Sequence, residues 1–210
     1  ASQIPTSEAV GSIARAKSVI IAGDQEQMPP SSFFVSNVGS SAEDEASFAS
    51  LDEDLESLLD DAIVLGLPRK RLNWHYRSHH ESLIAFSNSK FYGNSLLTFP
   101  SPNQELASVS FHYIEGLYEK RRGVNRKEAE AVTKEIIRRL LDKEFSKHSI
   151  GVVTFNEAQQ NLIEDYLDKE LAKNPGLDKA PGGEPIFVKN LENVQGDERD
   201  VILFSITYAP

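Results

Sequence analysis

Apolar positions in the second half of the chain follow two rhythms. In "RKEAEAVTKEIIRRLLDKEF" (126–145), Ala129, Val132, Ile136 and Leu140 recur at helical spacing on one stripe, which predicts an amphipathic helix. "NEAQQNLIEDYLDKELAK" (156–173) predicts a second helix. Between and after them, "SIGVVTF" (149–155), "IFVKN" (186–190) and "DVILFSITY" (200–208) are short apolar runs that do not alternate, as buried strands require. A further strand is expected at "SVSFHYIE" (108–115), and "PGLDKAPGGEP" (175–185) is expected to be a long turn. The order from residue 108 is then β-α-β-α-β-β. The expected class is α/β, a mainly parallel sheet flanked by helices.

The first half is more broken. Residues 5–17 predict a short helix capped by Thr6 or Ser7. Val19, Ile20 and Ile21 suit a buried strand that runs into the rigid loop "GDQEQMPP" (23–30). Small, polar and acidic residues over 35–50 suggest a linker. "LDEDLESLLDDAIVLGL" (51–67) predicts a helix with Leu51, Leu55, Leu58, Leu59, Ala62 and Ile63 inward. Asp52 and Glu53 suit its positive end, and Gly66 with Pro68 ends it. Another helix is expected over 79–91.

Composition adds limits. A chain of 210 residues, 40% hydrophobic, can bury a substantial core. It has no cysteine, which excludes disulfides and Cys-based zinc sites. No apolar run approaches the roughly 20 residues that span a bilayer, and no stretch has a signal peptide's build. A cytoplasmic protein is expected. The net charge is −10, but Glu43, Asp44, Glu45, Asp52, Glu53, Asp54, Glu56, Asp60 and Asp61 carry almost all of it. Elsewhere charges nearly balance, and "PRKRLNWHYR" (68–77) and "EKRRGVNRK" (119–127) are basic. Such local basicity leaves a nucleic-acid partner open; its bland alternative is solvated loop charge.

No glycine is followed by lysine, so a Gly-Lys-Ser/Thr phosphate loop is absent. His75 and His79 could share a helical face, but no third acidic ligand is fixed, so no metal site is assigned. Four stretches in order nevertheless carry a resemblance. "GDQEQMPP" (23–30) is similar to motif III of superfamily 1 helicases. "LNWHYRSHHESLIAFSNSKFYG" (72–93) resembles that family's Gln-Tyr-Arg-x-His-Pro segment with its following Phe-Tyr. "GVVTFNEAQQ" (151–160) matches a Thr/Ser-Pro-Tyr-x-x-Gln stretch, with Thr154 and Gln159 in register. "NVQGDERDVILFS" (193–205) resembles the Gln-Gly-x-Glu-x-Asp-Val-Ile strand. The double proline favours the 1B branch, which includes RecD-like and nonsense-mediated-decay helicases.

The resemblance implies a RecA-like fragment. Residues 1–34 would be the tail of a first RecA-like domain, 35–50 a linker or acidic loop, and 51–210 a second domain truncated before motif VI. It implies ATP and Mg²⁺ as cofactors, the metal ligands lying mostly outside these residues. Gln27 would bond the γ-phosphate or its attacking water, and Asp24 would act through the Mg²⁺ shell or by fixing the loop. Arg77 would be an arginine finger reaching over from the second domain. Tyr76 would stack on adenine. Gly196 would admit backbone to the phosphates, and Glu198 would accept from the ribose. His75 stands where the family usually has Gln. Thr154 and Asn190 would bond phosphates of the strand, with Arg71 and Arg122 adding sequence-independent attraction. The implied partner is a single strand, DNA before RNA, and no membrane. Without the missing motifs, this chain alone is expected to be inactive on ATP. The alternatives are a non-catalytic nucleic-acid- or protein-binding module, or another nucleotide-dependent enzyme with this sheet. The strand at 18–22 is expected to pair elsewhere in the chain or with a second copy.

Overall fold

The structure, a computed structural model, describes residues 2–28, 57–101, 108–177 and 183–208. It divides into two compact units, Ala1–Phe111 and His112–Pro210. The expected linker at 35–50, the double proline, the leucines at 51 and 55 and residues 178–182 of the long turn lie outside the described residues. The division between units lies at Phe111, whereas the second domain is expected to begin at residue 51.

In that unit, α1 (Thr6–Ile13) and α2 (Leu58–Val64) are joined by short bonds. Pro5 bridges Ser57, Leu58 N–H donates to Ile4 O at 2.8 Å, and the Thr6 hydroxyl donates to the Asp61 carboxylate. Thr6 is therefore spent on α2 and does not cap α1, whose N-cap is Pro5. Ser57 caps α2 by accepting from Asp60 N–H, and Asp60 and Asp61 occupy its first turn; Asp52 and Glu53, expected at this end, lie outside the described residues. Gly66, at φ +69°, ends α2 as expected. Its N–H bonds Ile63 O at 3.0 Å and Leu67 N–H bonds Ala62 O at 3.2 Å, the paired closure of a Schellman end.

Two strands of two residues each, β1 (Trp74–His75) and β2 (Leu97–Thr98), pair in parallel around α3 (Ser82–Lys90). The sequence gives no sign of this ribbon. The strand expected at 18–22 is absent, and Ile20 is 96% exposed. β-branched residues favour a strand only when neighbours complete the ladder and cover the side chains, and residues 18–22 form no strand ladder with the described residues. The strand expected at 108–115 fails likewise: Phe111 and Tyr113 are exposed.

The second unit follows the sequence pattern closely. Its sheet has the order β4-β3-β5, all parallel: β3 (Ile150–Thr154) in the centre, β4 (Phe187–Asn190) and β5 (Val201–Ser205) on either side. Helices α4 (Arg126–Leu141) and α5 (Glu157–Lys173) pack on it. Ala129, Ile136, Ile150, Val152, Ile163 and Val188 form one core. The helix expected to reach 145 stops at Leu141, because Asp142 turns its carboxylate back onto the N–H groups of Glu144 and Phe145 and starts a 3₁₀ turn over Phe145–Lys147. At Gly151 a Cβ would press into the Phe187 ring, so glycine lets β3 and β4 lie together. Among the described residues no helix is long and apolar enough to cross a membrane.

Candidate functional site

The loop that carries Asp24 and Gln27 is exposed and is held by the Asp24 carboxylate. Gln27 N–H donates to Asp24 O at 3.3 Å, closing the turn. Glu26 N–H donates to Asp24 Oδ1 at 3.1 Å, a local bond typical of aspartate in turns. On Oδ2 two donors meet: Gln27 Nε2 at 3.2 Å and the Tyr92 hydroxyl at 2.6 Å. Burial first, then the hydrogen bond and charge of Asp24, push the Tyr92 phenol up to about 12, with Arg71 opposing. The contacts of Asp24 tie the loop together. Among the described residues no three His, Asp or Glu side chains gather that could hold a metal ion.

After β1 the chain turns sharply. The His75 Nε2 lies 2.7 Å from Ser78 Oγ and accepts from Ser78 N–H at 3.3 Å. His75 thus closes the turn, and between the two lie Tyr76, 82% exposed, and Arg77, also exposed. Tyr76 is not a core residue. Trp74 stacks on Phe99 with centroids 5.3 Å apart. Arg71 lies exposed on the segment that enters β1.

In the second unit, strand register sets Asn190, Thr154 and Ser205 side by side across the C-terminal edge of the sheet. That is where ligands bind in open parallel sheets. Thr154 and Asn190 are nevertheless buried and committed internally. The Thr154 hydroxyl donates to Asn156 O at 2.9 Å, and Asn190 Oδ1 accepts from Asn193 N–H at 3.0 Å. The phosphate contacts expected of them find no exposed side chain here, because the strand ends are roofed by the turns that follow.

Beneath this edge lies a polar network. Gln159, 0% exposed, accepts from Asn125 N–H at 2.9 Å and donates to Asn125 O and Ser205 Oγ, each at 3.1 Å. Glu128 accepts from Ser205 Oγ at 2.8 Å and from Thr207 N–H at 3.0 Å. Thr207 has φ +74°, a conformation costly for a β-branched residue, and Glu128 holds it there. Sequence reasoning missed Asn125, Glu128, Ser205 and Thr207, and it placed Tyr92 in a motif without giving it a role. Asn125-x-x-Glu128 before the strongest helix has the spacing of a helix start, and Ser205 and Thr207 alternate as one face of a strand does.

The loop from β4 to β5 is pinned twice: Lys189 Nζ to Asp197 at 2.5 Å, and Arg199 to Glu184 at 2.5 Å with its guanidinium 4.9 Å from the Phe187 ring centre. Just before these pins Gly196 has φ +95°, with no atom within 4 Å of where a Cβ would stand. Its backbone is open to approach. Glu198 is exposed. In the basic turn 119–124, Arg122 pairs with Glu119 at 3.6 Å, while Lys120 and Arg121 face solvent. Nearby, Tyr118 meets Tyr208 edge-on, centroids 5.0 Å apart.

A family model described as "AAA domain" matches residues 55–209. The chain is 34% identical over 222 aligned residues to an uncharacterized ATP-dependent helicase of Mycoplasma genitalium, covering 99% of this chain and 19% of that protein. A homolog in Mycoplasma pneumoniae is equally similar, also 34%. Regulator of nonsense transcripts 1 of Caenorhabditis elegans is 27% identical over 164 residues, covering 70% of this chain and 15% of that protein. The chain therefore spans less than one fifth of the length of the curated relatives it matches.

Proposed function

Because the chain belongs to the AAA domain family, of the superfamily 1 helicase type, we propose that it is part of a motor core. ATP hydrolysis there drives movement along a single strand, DNA before RNA. The observation that carries this reading is the turn closed by His75 and Ser78, which presents Tyr76 and Arg77 outward. In phosphoryl transfer, charge builds on the γ-phosphate oxygens, so catalysis is mostly positioning and neutralisation. ATP supplies the phosphoryl group. Arg77 neutralises developing charge, Gln27 bonds the γ-phosphate or its water, and Tyr76 offers a face to adenine. Gly196 lets backbone approach the phosphates, and Glu198 accepts from the ribose. Mg²⁺ is the usual companion of such a reaction, but the described residues do not build its site.

For the strand, Arg71, Lys120, Arg121 and Arg122 supply attraction that does not depend on base sequence. With Thr154 and Asn190 buried, these exposed cations carry the reading. The name of the Caenorhabditis relative, which refers to transcripts, keeps RNA as the alternative. A cytoplasmic location goes with this function. Ile20 at 96% exposure supports self-association through residues 18–22; light scattering should find wild type larger than Ile20→Asp, and equal sizes exclude it.

ATP-driven displacement of streptavidin from biotinylated strands by the intact protein tests the proposal. Displacement from DNA is the expected result. Displacement from RNA alone overturns the DNA assignment, and binding without displacement from either favours a non-catalytic binding module.

A further inference from the structure

We propose that Tyr92 is a positioning residue for Gln27: its hydroxyl anchors Asp24, and Asp24 orients the Gln27 amide. This deepens the motor reading and rests on it. Among the described residues Tyr92 is the one hydrogen-bond partner of Asp24 outside the 24–27 turn, 68 residues away in sequence. The bond is short, 2.6 Å, as expected where a hydroxyl donates to a carboxylate. Gln27 Nε2 then faces the same oxygen at 3.2 Å. The amide cannot turn over there, because its carbonyl oxygen would meet the carboxylate and be repelled. Where Asp24 stands therefore decides which way the Gln27 amide points.

The residues before the loop, 18–23, lie in no strand, and Ile20 is fully in solvent. Tyr92, by contrast, is held at the end of α3: its N–H donates to Ser87 O at 3.3 Å, and its carbonyl accepts from Ser95 N–H at 3.0 Å and from Ser95 Oγ at 2.6 Å. With its phenol pushed up to about 12, Tyr92 remains a donor throughout the range in which such a protein works. The helix α3 starts at Ser82, shortly after Arg77. Tyr92 thus ties the loop bearing Gln27 to the segment bearing Arg77, the two groups assigned to the γ-phosphate.

The test uses the intact protein and three variants: Tyr92→Phe, Gln27→Ala and the double. Tyr92→Phe removes one oxygen and keeps the ring. It should lower kcat by about 10-fold, the scale of one hydrogen bond to a charged group, with KM for ATP nearly unchanged. In the Gln27→Ala background it should do nothing more. Independent, multiplying losses overturn the proposal, because Tyr92 would then act by another route. Hydrogen exchange supplies a readout that needs no catalysis. The amides of residues 23–28 should exchange faster in Tyr92→Phe, and unchanged exchange also overturns the proposal. A wild type that hydrolyses no ATP would sink the motor reading alone; the exchange result then decides whether Tyr92 anchors the loop.

Discussion

Replacing Arg77 with alanine in the intact protein should lower strand-stimulated ATP turnover by about 10³-fold or more, while strand binding survives. The size follows from the chemistry. A guanidinium placed on the γ-phosphate oxygens acts where charge grows in the transition state, so its loss falls on kcat. The loss should stay local, because the turn that presents Arg77 is closed by His75 and Ser78. Arg77→Lys should recover little of the activity. An ammonium is a single point charge and lacks the planar fork that spans two phosphate oxygens. Steady-state hydrolysis beside fluorescence anisotropy on a labelled strand separates the two effects. A variant that keeps wild-type turnover removes Arg77 from the mechanism; one that loses strand binding as well places Arg77 in the strand site or the fold.

The largest expected effect on stability is at Gln159. Leucine there keeps the volume but strips the partners from the N–H and C=O of Asn125, both buried, and one partner from Ser205. Each orphaned buried group costs about 1–3 kcal/mol, so Gln159→Leu should lose roughly 3–5 kcal/mol, a large share of a typical domain's stability. The urea midpoint, at unchanged m-value, measures it. The loss should spread to the sheet edge, since Ser205 also binds Glu128, which holds Thr207. A shift under about 1 kcal/mol would mean that water replaces the amide and that the network does not brace this edge.

The second unit was legible because its signals are long and redundant. Two amphipathic helices and three apolar runs each specify one packing, and together they allow a parallel sheet. The runs at 18–22 and 108–115 look equally strand-like, yet neither is a strand, because a strand is made by its neighbours and composition does not name them. The site divided in the same way. Asp24, Gln27, Tyr76 and Arg77 were singled out by motif, and the structure leaves the last two exposed. Thr154 and Asn190 were placed correctly at strand tips, but whether a tip is roofed depends on the turn after it. The contacts of Tyr92 and Glu128 were not foreseen because their partners lie 68 and 77 or more residues away. Only the fold brings them together.

The most direct test of a motor core is ATP hydrolysis by the intact protein at saturating ATP, with and without single-stranded DNA. Slow turnover alone and a marked rise with the strand is the expected result. Tight strand binding with no hydrolysis in either condition would contradict it, leaving a domain that holds nucleic acid without moving along it.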